Sequence, residues 1–321
     1  MQKKLDNPNT TPIVVDEVRY KLRAAIDTFY DLQKLRIQVG NRLCASFKYG
    51  SDDSNEDDKF IMVLLGEYDR VTDTLVEQFD NNSRRLLKAI KATDNLEYIK
   101  SAFDYSLVEQ YKSLREQEDE TNKLISKLVK EHPMWDRFFV DVKGCGTTMA
   151  AICIAYLDIH KARYVSSFWS YAGVGTRTTE DGSVVAMSRK STIEVEYVDS
   201  EGNVKTKKSI GYNEFLHTKL LGVLGDSFVK QGDTYRKVYD DYKNRYLNKP
   251  DWQAQKGALR LRAHRAAIRQ IIKAFLRDLW VEWRTYEGYE IPLSYAEAHL
   301  GMAPHGYNEA DGRPIENQNS V

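Results

Sequence analysis

Long apolar runs are missing from this 321-residue sequence. The longest, Met149 to Leu157, falls far short of the ~20 residues that a membrane-crossing helix needs. Cysteine is scarce: Cys44, Cys145 and Cys153 are odd in number and lack metal-ligand spacing. That argues against a disulfide framework or a zinc site and suits a reducing cytosol. Cys145 and Cys153 lie in apolar context and are expected to be small buried hydrophobes. Histidine is thin as well. His160, His217 and His264 fall on predicted helices without ligand spacing and read as structural. No Walker A loop or Ser-His-Asp set is found. The start, Met1-Gln2-Lys3-Lys4, turns polar at once and shows no signal peptide, so a cytoplasmic location is expected.

Net charge is missing too, but its absence hides an asymmetry. Between Lys143 and Arg284 there are 24 Lys/Arg and 15 Asp/Glu, which leaves 23 and 32 for the rest of the chain. One region attracts phosphate and the other repels it. The pattern fits a basic binding module joined to an acidic helical one.

Residues 1–12, with Pro8 and Pro12, are expected to be disordered. Apolar residues then recur at helical spacing from Val15 to Ser46, with Leu22, Ile26, Leu35 and Leu43 among them. An acidic loop is predicted at 50–58, helices at 60–79 and 83–91, and a long charged helix from Leu96 to Lys130 that includes Leu124. Residues 13–131 therefore read as antiparallel long helices. They could be a coiled-coil arm that makes a homo-oligomer, or a bundle closed within one chain. Pro133 marks a boundary, and 132–290 reads as a compact, mainly helical domain. Helices are predicted at 147–159, 166–172, 213–228, 233–246 and 256–287. The alternation of 193–198, the turn at 199–203 and the return at 204–208 predict one β-hairpin. The tail, 291–321, is expected to be irregular. The fold class is mainly α.

Two features point to chemistry. In Lys143-Gly144-Cys145-Gly146-Thr147-Thr148 a charged helix runs into two glycines, and an Ala/Ile-rich helix opens behind them. Glycines admit positive φ and close approach, and a helix start presents N–H groups and the positive end of the dipole. That shape, a helix-hairpin-helix, can hold a phosphate without reading a base. Thr147 and Thr148 would add donors, or simply start the helix. Further on, a helical projection gathers Arg262, Arg265, Arg269, Lys273 and Arg277 into an arc of about 120°. Leu261, Ile268, Ile272, Phe275 and Leu279 fall opposite. Between Lys256 and Trp283 the only acids are Asp278 and Glu282, so i,i+4 pairing does not account for the stripe. Phosphate contact is the preferred reading, with Arg177 as a further contact, and Trp280 and Trp283 are expected in the core.

The order of these features resembles the C-terminal domain of the DEDD-type, Piv-like insertion-sequence transposases, some of which are guided by a bridge RNA. The resemblance rests on Lys143-Gly144-Cys145-Gly146, Leu157-Asp158-Ile159, Phe168 and Tyr171-Ala172-Gly173-Val174, followed by Asn213 with Leu216 and the helices at 235–246 and 258–280. It covers residues 140–285 and extends weakly to Leu35-Arg36 and Asn41-Arg42-Leu43. It implies DNA as the partner and allows structured RNA. Family members also carry a RuvC-like domain with four metal-binding acids; residues 1–131 offer only helices in its place. They use a serine nucleophile after Tyr-Ala-Gly; here that position falls on Asp181, and Ser183 matches only the neighbouring serine. A carboxylate cannot form the phosphoserine link.

The expected function is therefore nucleic-acid binding without catalysis of its own and without a cofactor. One alternative is an active recombinase using Ser183, which alone would call for Mg2+, with Asp158, Glu180 and Asp181 as the nearby acids. The other is a protein-interaction scaffold. No membrane partner is expected.

Overall fold

The computed structural model describes residues 17–47, 54–78, 85–179, 182–188, 192–231, 234–254 and 257–292. The predicted disorder at 1–12 and all of the expected tail beyond Pro292 lie outside them, as do Glu180 and Asp181. The architecture is mainly α, with two small antiparallel hairpins. No helix among the described residues is long and apolar enough to cross a membrane. The chain divides into two compact units, 24–127 and 1–23 with 128–321.

The first unit contains most of α1 (Glu17–Ser46), then α2 (Ser54–Gln78), α3 (Arg85–Ala92) and nearly all of α4 (Ala102–Leu128). Its core joins Leu43, Phe60, Leu64, Ile90, Val108 and Tyr111. The apolar faces of these helices thus close on one another within one chain, as a bundle. Gly40 of α1 is part of that closeness: a Cβ there would lie 3.2 Å from the Tyr111 ring. Leu35 and Leu124, expected on apolar faces, are exposed instead.

Two boundaries differ from the sequence reading. Residues 54–58 belong to α2 rather than to an acidic loop, and acids such as Asp57 and Asp58 near a helix start suit its dipole. The long helix predicted from Leu96 begins only at Ala102. The reason is Glu67, which is 1% exposed. Its carboxylate accepts the backbone N–H groups of Glu97, Tyr98 and Ile99 at 2.6–3.0 Å. Those groups are held out of a helix. Ser101 and Asp104 then form a reciprocal capping box that starts α4.

The second unit is built on α12 (Leu259–Tyr286), which buries Ile271, Ile272, Phe275, Leu279, Trp280 and Trp283. Leu261 departs from the projection at 48% exposed, because the first turn of the helix overhangs the core. Short pieces lead in: a 3-10 turn at Val129–Glu131, α5 (Met134–Arg137) and a second turn at Phe139–Asp141. The helix expected to run into the glycines is broken into these pieces, because Pro133 cannot continue α4. Next comes α6 (Thr147–Tyr156), buried at every position from Met149 to Tyr156. Such a helix has no solvent face. It stops before Ile159, which starts a 3-10 turn capped by Asp158. Then α7 (Val165–Tyr171) follows.

The hairpin β1–β2 (Thr176–Thr178 with Val184–Ala186) was not foreseen. The hairpin β3–β4 (Thr192–Val198 with Val204–Ile210) was, with Val198 opposite Val204. Asp199 accepts from the N–H groups of Glu201 and Asn203 and so closes that turn, and Gly202 takes φ +85°.

The predicted 213–228 helix divides into α8 (Glu214–Thr218), a π segment (Lys219–Leu224) and α9 (Gly225–Gln231). Packing explains the bulge, since a Cβ at Gly225 would sit 2.6 Å from Ile268. α10 (Thr234–Asn248) lays a tyrosine stripe against α12: Tyr235 donates to Asp278, Tyr239 pairs with His264, and Gln270 donates to Tyr246. α11 (Pro250–Gln253) closes the turn between them, where Trp252 stacks on Tyr246 at 4.6 Å.

Candidate functional site

The double-glycine turn uses its glycines differently. Gly144 has φ +88°, and a Cβ there would meet Ser227 Oγ and Gln231 Cγ at 3.1 Å. Ser227 also donates to the Gly144 carbonyl at 2.8 Å. Gly144 thus serves both the turn and the approach of α9. Gly146 is extended, with φ −72° and ψ 175°, and has open space around it. It needs no positive φ, contrary to the expectation for the pair. As the N-cap of α6 it offers no side chain. Gly146 and Lys143 are exposed, and Thr147 and Thr148 are half-buried. Cys145, between the glycines, is buried, and burial pushes its thiol up to about 12. Burial likewise raises Cys153, so both thiols stay protonated, as small hydrophobes do.

The predicted five-cation stripe does not stand free as a row. Arg265 is exposed. Arg262 lies over the Trp252 ring at 5.2 Å and donates to its carbonyl. Arg277 donates to the neighbouring Asp278 at 2.7 Å, a pairing that i,i+4 spacing overlooks. The remaining two are half-buried. Arg269 donates to the Gly173 carbonyl at 2.8 Å and to the Met187 carbonyl at 3.2 Å. Lys273, one turn on, rests over the Trp169 ring at 4.4 Å. Burial pulls both below their ordinary values, and the nearby Arg269 charge lowers Lys273 further. Neither forms an ion pair among the described residues. Arg177 is exposed on β1.

Arg269 forms part of the wall of a cleft of about 330 Å³, lined also by Met187, Ser188, Tyr212, Glu214, His217 and Thr218. Gly173 shapes it. Its φ is +68°, and a Cβ would lie 2.6 Å from the Tyr212 ring and 2.8 Å from His217 Nδ1. No other residue fits that position. The Nδ1–H of His217 donates to the Ala172 carbonyl at 2.9 Å. Asn213 takes the Tyr171 carbonyl with its N–H, donates Nδ2 to the Tyr171 hydroxyl, and caps α8 through Leu216 N–H. Residues 171–173 and 213–216 are thereby brought together beside Arg269.

Chemically, the cleft combines a guanidinium, an imidazole, a carboxyl and three hydroxyls. Two of the five guanidinium N–H donors are committed to carbonyls. A planar fork of this kind is suited to an oxyanion such as a phosphate. Ser183 does not line the cleft. It is exposed near the tip of β1–β2, about 13 Å of extended chain from Met187. Its carbonyl accepts from Thr179 N–H. Asp158 bridges to Arg19 at 3.2 Å. Among the described residues no group of three His, Cys, Asp or Glu is placed to hold a metal ion.

Ser188, Tyr212, Glu214, His217 and Thr218 were missed by sequence reasoning. Only Gly173 signalled their meeting place, since a glycine closing a helix can mark a close approach. Compared with known proteins, the chain matches no family model, no curated protein and no solved structure.

Proposed function

We propose that this chain binds nucleic acid through the phosphate backbone, with Arg269 in the cleft and Arg265 on the exposed flank of α12 as the principal contacts. One observation carries the reading: Arg269 and Lys273 are half-buried, one helical turn apart and in no ion pair with a carboxylate among the described residues. Buried like charges are costly unless an anion answers them. The excess of cations between Lys143 and Arg284 supplies the long-range attraction. Binding through phosphates is sequence-independent and falls steeply with salt. The resemblance to transposase C-terminal domains adds DNA as the first candidate and structured RNA as the second. A strand-transfer role through Ser183, with divalent metal, has less support, because Ser183 is not among the residues that line the cleft with Arg269 and His217.

The test is a duplex titration. Arg265→Glu with Arg269→Glu weakens binding by more than about tenfold at low salt. Unchanged binding sinks the proposal. Sequencing the nucleic acid that co-purifies with the protein from cells separates DNA from RNA.

A further inference from the structure

Nothing in the phosphate-binding account uses the β3–β4 ribbon, yet its two faces differ sharply. By register, one face carries Ile193, Val195 and Tyr197 opposite Ser209, Lys207 and Lys205. The other carries Glu194, Glu196 and Val198 opposite Lys208, Thr206 and Val204, so it holds both glutamates and, at its turn end, an exposed valine pair. A two-stranded ribbon is marginal in water unless something covers it. Here the apolar row faces solvent: Ile193 is 54% exposed and Tyr197 39%. Lys207 stands over the Tyr197 ring at 5.1 Å, and Lys205 bridges to Asp199 at 2.7 Å.

We propose that the Ile193/Tyr197/Lys207 face of this ribbon takes an unpaired nucleic-acid strand, a base stacking on Tyr197 and phosphates lying against Lys207 and Lys205. This rests on the phosphate-binding reading and adds a second contact of different chemistry. Charge complementarity selects the occupant. Neither strand places an acid on this face, and its lysines flank an aromatic ring, so an anionic ligand with planar groups fits it. A neutral apolar partner would leave the Lys207 ammonium under cover without an answering charge, since only Lys205 has Asp199 beside it. Stacking on an exposed aromatic, with cations along the backbone, is how unpaired strands are held without sequence preference. The glutamates on the opposite face keep the anion to one side.

The experiment titrates the full chain against a fluorescein-labelled oligothymidylate, a duplex of equal length and an oligoglutamate. Tyr197→Ala with Lys207→Glu weakens oligothymidylate binding by about tenfold or more. The salt slope falls by about 0.7 for the lost phosphate contact. Duplex binding, held by α12 and the cleft, changes by less than about twofold. Tyr197→Phe, Lys207→Arg and the opposite-face Glu196→Gln each retain wild-type affinity. The substituted side chains are solvent-facing, and an unchanged thermal midpoint confirms the fold. Wild-type oligothymidylate binding by the double variant overturns the ribbon site and leaves the phosphate-binding reading standing. Equal losses on both probes overturn the assignment to unpaired strands. Loss of oligoglutamate binding with oligothymidylate binding unchanged assigns the face to an acidic protein and overturns it too. Failure of the wild-type protein to bind either nucleic acid overturns both readings.

Discussion

The bundle of residues 24–127 and the unit built on α12 treat buried charge in opposite ways. In the bundle the two buried carboxylates among the described residues are answered. Glu118 meets Arg36 and Gln33, and Glu67 is wrapped by three backbone N–H groups. In the other unit, Arg269 and Lys273 are half-buried and form no ion pair among the described residues. Answered charges fix a fold, because removing one partner strands the other. A half-buried cation without an acid keeps a charge that a ligand can answer.

The largest effect expected from this contrast lies in the bundle. Glu67→Ala leaves three backbone donors without their acceptor and removes an interaction on which the 94–101 linker hangs. It should destabilise the unit by about 4 kcal/mol, read from urea unfolding. A loss near zero would mean that the buried carboxylate does not organise the linker. A smaller effect follows from acid. Burial raises Glu118, but hydrogen bonds from Arg36 and Gln33 outweigh it and hold the carboxyl below its usual 4.5. A lowered folded value means stability that is present above pH 4.5 and lost as pH falls through the folded value. The wild-type bundle should weaken with acid over that window, and Glu118→Gln should flatten the dependence.

How much of this was legible in sequence depended on how local each cause is. The period of α12 announced Phe275, Leu279, Trp280 and Trp283 as core, and Asp199 with Gly202 announced the β3–β4 turn. The start of α4 was not legible, because its determinant, Glu67, lies thirty residues upstream of the Glu97 amide it holds. Strands of three residues, exposed throughout, gave β1–β2 no pattern to read. The cleft was hidden for the same reason as the linker: Arg269, Gly173 and His217 meet only through the fold. In the stripe, projection grouped five cations correctly by angle but could not tell the paired Arg277 from the unanswered Lys273.

The double-glycine turn gives the smallest effects and a clean internal contrast. Gly144→Ala forces a Cβ into a positive-φ residue packed on Ser227, at a cost of about 2 kcal/mol. Gly146→Ala places one in open space with ordinary backbone angles and should stay within about 0.5 kcal/mol. Equal costs in thermal unfolding would contradict the separate roles assigned to the two glycines.

Lys273→Met separates a charge kept for a ligand from one that holds the fold. Methionine keeps the apolar stem against Trp169 and removes only the charge. The lysine's folded value is lowered, so its charge is a penalty below that value that disappears as pH rises toward 10.5. The account predicts that the variant unfolds at the same temperature as wild type or higher near neutral pH, with the gap closing toward pH 10.5. It also predicts that the variant binds nucleic acid at least about threefold more weakly. A lower unfolding temperature with unchanged nucleic-acid affinity would make Lys273 a structural residue and contradict the account.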